Sequence, residues 1–280
     1  MKRALVITLL LAFGAPAARA SWGDAKIWDD GRAEVGIYDS ERVDGGKPRT
    51  FREQIIISKE DLRADTLTKA ENKKAQKTLR AFKMNQVVRY DTENYPVTFL
   101  TTVFAPEDTP ERPLKIAVGS QDWDGNSFKV LTVHSPDRAT LGWNSHFDED
   151  AASTELALTP KDVFDDQLPL AIRSMPLKEG FHTEVRLWDN LTSGHAVVPV
   201  VSTAVITVEG EDLVRCHAGS LPSWKVTVAR PSRSDTYWFE KAEPRILTRM
   251  ETSDGRKRLL YGRARWMFWD RRFPRPNILN

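Results

Sequence analysis

Short runs of β-branched and aromatic residues alternate with pairs of turn residues over residues 205–260. The turn pairs recur at regular intervals: Glu209-Gly210, Ala218-Gly219, Pro231-Ser232 and Asp254-Gly255. Apolar runs of this length, bounded by turn residues, are typical of antiparallel strands joined by hairpins. The pattern predicts a meander of four or five consecutive strands.

The same alternation occurs in the first half of the chain. Residues 33–38 and 50–57 are predicted strands separated by the turn pair Gly45-Gly46, and we expect them to form a hairpin. Strand signals return over residues 87–90, 95–104, 114–119 and 128–134, and again over residues 182–188, 196–201 and 204–208. Most of the chain is therefore predicted to be β-structure.

One segment has helical periodicity. Thr159 is a typical N-cap, Pro160 suits the first helical position, and Asp162 places an acid in the first turn. Apolar residues follow at helical spacing as far as Ile172, so the sequence predicts a helix over residues 160–174 that ends before Pro176. Residues 65–84 are polar and lysine-rich, which predicts either a second, weakly amphipathic polar helix or an exposed crossover loop.

Two sets of motifs resemble known families. The first set is Trp28-x-Asp30-Gly31-x-Ala33-Glu34-x-x-x-Tyr38, Pro48-Arg49, Glu53, Tyr95-Pro96 and Ser120-Gln121-Asp122-Trp123-x-Gly125. This set resembles a group of exported bacterial proteins of unknown function over residues 28–130. The second set is Ala171-x-Arg173-x-x-Pro176-Leu177-x-x-Gly180, Val208-x-Gly210-Glu211-x-x-Val214, Trp224-x-Val226 and Tyr237-Trp238. Over residues 155–262 it is similar to a family of periplasmic domains of unknown function.

The second resemblance implies a curved antiparallel half-barrel, similar in architecture to the periplasmic lipoprotein carriers. We therefore predict a mainly β fold, with a curved antiparallel sheet of half-barrel type and one packed helix. Along the chain we expect a leader over residues 1–20, an N-terminal β segment over residues 21–150, a half-barrel segment over residues 151–262 and a basic aromatic tail over residues 263–280. The two β segments are either separate domains or halves of one continuous sheet.

The first twenty residues have the composition of a secretory signal peptide. Lys2 and Arg3 precede a short apolar run that ends in Ala18-Arg19-Ala20, and the run is too short for a membrane span. No cysteine lies at the cut, so we expect a cleaved leader, no lipid anchor and a periplasmic location. Cleavage removes three cations and lowers the formal charge from +2 to −1, and together with export this argues against nucleic-acid binding.

Charge is nevertheless uneven along the chain. Residues 224–280 hold 14 basic and 6 acidic side chains, and the tail interleaves these cations with aromatic residues. Such a segment suits an anionic membrane surface, for which the candidate residues are Arg265, Trp266, Trp269, Arg271 and Arg272. The alternative is a final strand with Trp266 on one face and arginines lying over the sheet edge.

The half-barrel resemblance implies a non-enzymatic protein that binds a lipid or another apolar ligand in the curve of the sheet. Candidate ligand-binding residues are Trp188, Trp224, Tyr237 and Trp238, whose apolar neighbours would line a cavity. The alternative is that these residues are ordinary core, where burial of their area is sufficient reason for them. Another alternative is an envelope protein that binds a partner protein and no small ligand.

Catalysis is the class that the residues support least. His146 beside Asp148, Glu149 and Asp150 is the best candidate for a hydrolase, but the five histidines are scattered without ligand spacing. The sequence has no nucleophile-elbow, zinc-protease or phosphate-loop motif. The single cysteine, Cys216, excludes an internal disulfide. We therefore predict no catalytic residues, no metal site and no cofactor.

Overall fold

A computed structural model describes residues 22–72, 77–147 and 151–270. Within them lie fifteen strands: β1 Ala33–Asp44, β2 Lys47–Arg63, β3 Thr78–Asp91, β4 Pro96–Pro106, β5 Lys115–Gln121, β6 Asn126–Ser135, β7 Arg138–Ser145, β8 Ala151–Ala157, β9 Asp162–Phe164, β10 His182–Trp188, β11 Val201–Cys216, β12 Gly219–Arg230, β13 Arg233–Glu240, β14 Leu247–Glu251 and β15 Lys257–Trp266. The helix α1 is Leu168–Ser174, and three short 3-10 helices cover Trp22–Asp24, Lys26–Asp29 and Asp165–Gln167. Across these described ranges, no helix is long and apolar enough to cross a membrane.

All fifteen strands belong to one open sheet. Its order is β8-β7-β6-β5-β4-β3-β2-β1-β15-β14-β13-β12-β11-β10-β9, so adjacent strands of the sheet are consecutive in the chain except β1 and β15, and the consecutive strands β8 and β9 form its two edges. Every pairing is antiparallel apart from β9 with β10. An open sheet with more than about ten twisted strands curls on itself, which agrees with the predicted mainly β half-barrel. The predicted meander is confirmed as β11 to β15, and the predicted hairpin as β1 and β2.

Alternation along each strand separates an inner from an outer face. In β3, Phe82, Met84, Gln86 and Val88 are buried, whereas Arg89 is exposed on the opposite face. The inner positions of both halves of the sheet pack into one main hydrophobic core. A smaller apolar cluster of Val88, Tyr90, Val97 and Phe99 lies on the same inner face towards one end of the strands. Period-two patterning therefore produces a sheet with a buried concave side.

The helix α1 fills the concave side of the sheet. The first five residues of the helix are all buried: Leu168, Pro169, Leu170, Ala171 and Ile172. Pro169 has no N–H, so it leaves no unpaired donor in the first turn. Because a helix with side chains is about 10–12 Å across, it occupies the space that an empty half-barrel would offer a ligand. The interior is thus a packed core.

One buried ion pair fastens this helix to the sheet wall. Arg173, at 1% exposure, donates two hydrogen bonds of 2.7 Å to the carboxylate of Glu34 on β1, at 4% exposure. The guanidinium also donates to Pro244 O and lies 4.9 Å from the ring of Trp22. Bidentate arginine–carboxylate geometry is the strongest form of this interaction, and burial makes each charge depend on its partner.

The predicted helix begins later than its sequence pattern indicates. Asp162–Phe164 is a short strand that pairs in parallel with β10, and regular α-helix starts only at Leu168. The N-cap pattern was misleading because the Asp162 carboxylate binds a side chain of the neighbouring strand: it accepts a 2.6 Å hydrogen bond from Trp188 Nε1 on β10. A helix over residues 160–174 is therefore corrected to 168–174.

Two further expectations are corrected. The second polar helix is not found in the described part of residues 65–84: residues 64–72 form turns and an isolated bridge, and residues 78–84 begin β3. Its lysine-rich centre, residues 73–76, lies outside the described residues. Residues 196–200 are not a strand either, since β11 begins at Val201.

We predict that breaking the Glu34–Arg173 pair strongly destabilises the fold. Glu34→Gln or Arg173→Met alone leaves an unpaired buried charge and should lower the free energy of unfolding by about 3–5 kcal/mol in urea titration. The double variant Glu34→Leu with Arg173→Met should recover most of that loss, because no charge remains and Trp22 still donates to Pro244 O.

The matched control is Glu155→Gln, which removes the exposed partner of Arg138 and should change stability by less than about 1 kcal/mol. A double variant as unstable as either single variant would contradict the assignment.

Candidate ligand-binding groove

A large concavity lies on the outer face of the sheet. Its volume is about 1280 Å³, and it extends over strands β14, β15, β1, β2 and β3. Strand register aligns its side chains in rows: Arg249 opposes Leu259, Leu259 opposes Asp39, and Asp39 opposes Arg52. These are outward positions, so alternation along five strands from distant parts of the chain assembles one charged surface.

A neighbouring row continues the alternation of charge. Glu251 opposes Lys257, Lys257 opposes Glu41, and Glu41 opposes Thr50. Lys257 Nζ lies 2.9 Å from Glu41 Oε2, and this hydrogen bond together with the carboxylate charge raises the pKa of Lys257. Cross-strand pairs of this kind each add a small stabilising term to the sheet.

Two further ion pairs of the groove involve arginines. Arg52 Nε lies 3.3 Å from Asp39 Oδ1, and Arg249 Nε lies 3.1 Å from Glu251 Oε1. Lysine and arginine that are paired in this way offer a ligand little net charge.

Two arginines of the groove differ from these. Arg89 on β3 and Arg215 on β11 both line the groove and are exposed. Neither forms an ion pair or a side-chain hydrogen bond with any residue in the part of the chain that the structure describes. Their guanidinium groups are therefore available to an anionic group in the groove.

A β-bulge lies beside the groove, next to Leu259. Ile37 opposes Gly262 but Tyr38 opposes Leu260, so Tyr261 is the extra residue of β15. Its ring lies 3.8 Å from the Arg52 guanidinium carbon and 4.3 Å from the ring of His217 at the tip of the β11–β12 hairpin. The bulge thus redirects an aromatic side chain that holds the hairpin, and with it Arg215, beside the sheet.

Sequence reasoning missed a buried polar cluster on the inner face. Asp165 accepts hydrogen bonds from Arg256 at 2.9 Å and from Arg230 at 3.0 Å. Burial would raise the pKa of Asp165, but the charges of Arg256 and then Arg230 outweigh it and hold the pKa low. Two consecutive acids inside a mainly apolar segment were the available signal, since buried acids need partners.

The neighbouring acid has the opposite electrostatic environment. Asp166 accepts hydrogen bonds from Leu191 N at 2.6 Å and from Thr192 Oγ1 at 2.7 Å. Burial, its largest influence, and the charge of Asp165 raise the pKa of Asp166. These contacts fasten residues 191–192 over the inner face, so the cluster closes the core.

The space beside this cluster is small. A cavity beside it has a volume of about 40 Å³, which has room for only a few water molecules. The residues around it include Gln86, Thr101, Thr192 and Arg258. Arg258 is paired with Glu53 and donates to Gln86 Oε1 at 3.0 Å. A second cavity, of about 360 Å³, lies at the end of α1 beside Val163, Ser174 and Val185, so both cavities are much smaller than the outer groove.

The four predicted ligand-binding aromatics do not surround a common cavity. Trp188 is buried and stacks on Phe164 with centroids 5.6 Å apart, and Tyr237 is buried in the main core. Trp238 points outward beneath Arg249 and donates to Asp212 Oδ2 at 2.8 Å, while Trp224 is half-buried beneath Lys241. None of the four lines the groove or the small inner cavity.

The predicted membrane-surface residues are divided between the sheet and the tail. Arg265 is held by the fold, because it donates to Asp30 Oδ1 at 2.6 Å and to Arg32 O at 3.0 Å. Trp266 is the half-buried last residue of β15, and Trp269 is 57% exposed. Arg271 and Arg272 lie outside the described residues.

The candidate hydrolase histidine, His146, lies at the surface. His146 follows β7 at an exposed turn beside Phe147, and Asp148, Glu149 and Asp150 lie outside the described residues. Cys216 is half-buried, and burial raises the pKa of its thiol. Among the residues described, no group of three His, Cys, Asp or Glu side chains is arranged to hold a metal ion.

Replacing Asp166 should change how stability depends on pH. Folding raises the pKa of Asp166 above its unfolded value of about 3.9. The protonated Asp166 side chain therefore stabilises the folded state only at low pH, and this stabilisation is lost as the pH rises from about 4. Asp166→Asn should therefore gain stability relative to the wild type between pH 4 and pH 7 in urea titrations. Asp165→Asn is the matched control with the opposite sign, since the pKa of Asp165 is lowered. Parallel pH profiles for all three proteins would refute this account.

Comparison with known proteins finds likeness of fold only. No family model and no curated protein matches the chain. A β-barrel-like protein of the domain of unknown function DUF1849 from Brucella abortus is 12% identical, covers 84% of this chain and 98% of its own, and has a TM-score of 0.49. A DUF1089 family protein from Pseudomonas aeruginosa is 12% identical, covers 59% of this chain and 82% of its own, and has a TM-score of 0.38.

Proposed function

We propose that this protein is an exported, non-enzymatic binding protein whose ligand is a lipid or another apolar molecule that carries an anionic group. The observation that supports the proposal is the pair Arg89 and Arg215, which line the groove without an ion pair among the described residues. An arginine held at a surface without a counter-ion is a recognition site for carboxylate or phosphate.

The outer groove suits such a ligand better than the interior. The helix α1 occupies the concave side, where the cavity beside Gln86 is about 40 Å³ and the cavity at the end of the helix is about 360 Å³, whereas the groove is about 1280 Å³. Val87 and Leu259 supply apolar surface beside the arginines.

Binding is favoured over catalysis by the chemistry of the groove. Its hydroxyl groups, Ser40 and Thr50, form no hydrogen bond with a histidine in the described residues, so they lack the base that activates a nucleophile. The groove therefore supplies charge and apolar contact, which are sufficient for binding.

Export is the second part of the proposal and rests on residues 1–20. A basic head, a short apolar run and an Ala-x-Ala end direct secretion and cleavage. We predict that the protein recovered from periplasmic extract begins at Ser21, as read by N-terminal sequencing. An intact Met1 on protein confined to the cytoplasm would contradict export.

We predict that the groove binds phosphate weakly through its two unpaired arginines. Inorganic phosphate at low ionic strength is the probe, measured by ³¹P line broadening on the mature protein. The double variant Arg89→Glu with Arg215→Glu should weaken binding roughly tenfold or more, because two favourable charge contacts of about 0.5–1 kcal/mol each become repulsive.

The matched control is Arg138→Glu, an exposed arginine on β7 outside the groove, which should leave phosphate binding unchanged. Equal broadening in the wild type and the double variant would exclude the groove as the anion site.

A further inference from the structure

An apolar row crosses the outer face next to the groove. Strand register places Val87 opposite Leu100, Leu100 opposite Gly119, and Gly119 opposite Phe128, on β3, β4, β5 and β6. We name these four residues the apolar stripe. All four occupy outward positions, because their neighbours Val88, Phe99, Val118 and Ser127 are buried. Since neighbouring strands lie about 4.8 Å apart, the stripe is roughly 14 Å long.

The exposure of this stripe is unusual for strands β2 to β7. Leu100 is 45% exposed and Phe128 is 52% exposed. In strands β2 to β7, every residue of which is described, they are the only large apolar side chains exposed to this degree. Scattered exposed apolar residues are normal, but two in one row beside a cavity mark an interaction site more specifically.

Gly119 gives the stripe the shape of a trough. A Cβ atom placed on Gly119 would have no neighbouring heavy atom within 4 Å, so the position between Leu100 and Phe128 is open. Ala117 and Val130, which oppose each other in the next row, continue the surface with small or half-buried apolar side chains. A linear apolar chain laid along the stripe would cross Leu100, lie over Gly119 and end against Phe128.

The stripe begins beside Arg89, one of the two unpaired arginines of the groove. Val87 belongs to both the stripe and the groove, and Arg89 lies two residues further along the same face of β3. Two residues along a strand are about 6.6 Å apart, so the cation lies at one end of the apolar row. An amphiphile with an anionic head at Arg89 would therefore extend its chain from Val87 towards Phe128.

We infer that the ligand of the groove is an anionic amphiphile with a single alkyl chain, whose head group binds Arg89 and Arg215 and whose chain lies along the apolar stripe. This inference rests on the proposed function, because it assigns the head group to the same two arginines. It commits to a lipid-like molecule and not to free phosphate, since phosphate alone leaves Leu100 and Phe128 uncovered.

The test compares three probes on the mature protein by isothermal titration calorimetry, all below micelle-forming concentrations: dodecyl phosphate, inorganic phosphate and dodecyl maltoside. Dodecyl phosphate should bind at least a hundredfold more tightly than inorganic phosphate, because a buried chain contributes in proportion to its apolar area. Dodecyl maltoside, which has the chain without the anion, should bind more weakly than dodecyl phosphate.

Stripe variants separate the chain from the head group. Leu100→Ser with Phe128→Ser should weaken dodecyl phosphate binding roughly tenfold or more and leave inorganic phosphate unchanged. Gly119→Phe should have the same effect, because its ring would fill the trough. The matched control is Val205→Ser, which removes an exposed apolar residue of β11 that is outside the stripe and should change neither affinity.

The outcomes distinguish this inference from the proposed function. Equal affinities for dodecyl phosphate and inorganic phosphate, both abolished in the Arg89→Glu and Arg215→Glu variant, would overturn the chain site but keep the anion site. Binding of dodecyl maltoside as tight as that of dodecyl phosphate, and insensitive to the arginines, would overturn both. Stripe variants that alter only self-association in sedimentation velocity would assign the stripe to a second copy of the chain and overturn the inference.

Discussion

The buried pair of Arg173 and Glu34 is the interaction on which the arrangement of this molecule depends. Glu34 lies on β1, at the junction where the first half of the sheet meets β15, and Arg173 ends the helix that fills the interior. The two motifs that contain these residues are separated by almost half of the chain, and each buried charge requires the other. The pair therefore fixes the register between helix and wall and keeps the concave side occupied.

An occupied interior moves the site to the outside of the sheet. In an empty half-barrel the inner face would be the natural place for an apolar ligand, but here that face is covered by α1 and by residues 191–192, which Asp166 holds. The outer face retains the groove, because the β1–β15 junction and the Tyr261 bulge bring β3, β14 and the β11–β12 hairpin around one concavity. Fold and candidate site are consequences of the same junction.

The strands could be predicted from the sequence, whereas the site could not. Alternation of apolar and polar residues is local, so it identified the meander β11 to β15 and the β1–β2 hairpin. It does not reveal which face is covered: Tyr237 and Trp238 are adjacent aromatics, yet Tyr237 lies on the inner face of the sheet and Trp238 on the outer face.

Nor does the alternation of apolar and polar residues reveal long-range partners. Arg89 and Arg215 line the same groove only because β1 pairs with β15, and Asp162 fits the pattern of a helix start although its carboxylate accepts a hydrogen bond from Trp188 on a strand. Such features arise from tertiary contacts.

The central claim is that an anionic amphiphile binds on the outer face, over a filled interior. Native mass spectrometry with organic extraction, on mature protein purified from its own periplasm, tests this claim most directly. The account predicts one co-purifying amphiphile that carries an acidic group, that dissociates while the protein remains folded, and that is absent from the Arg89→Glu and Arg215→Glu variant. A neutral apolar ligand that is released only on unfolding, and that the variant retains, would place the site inside the half-barrel and contradict the account.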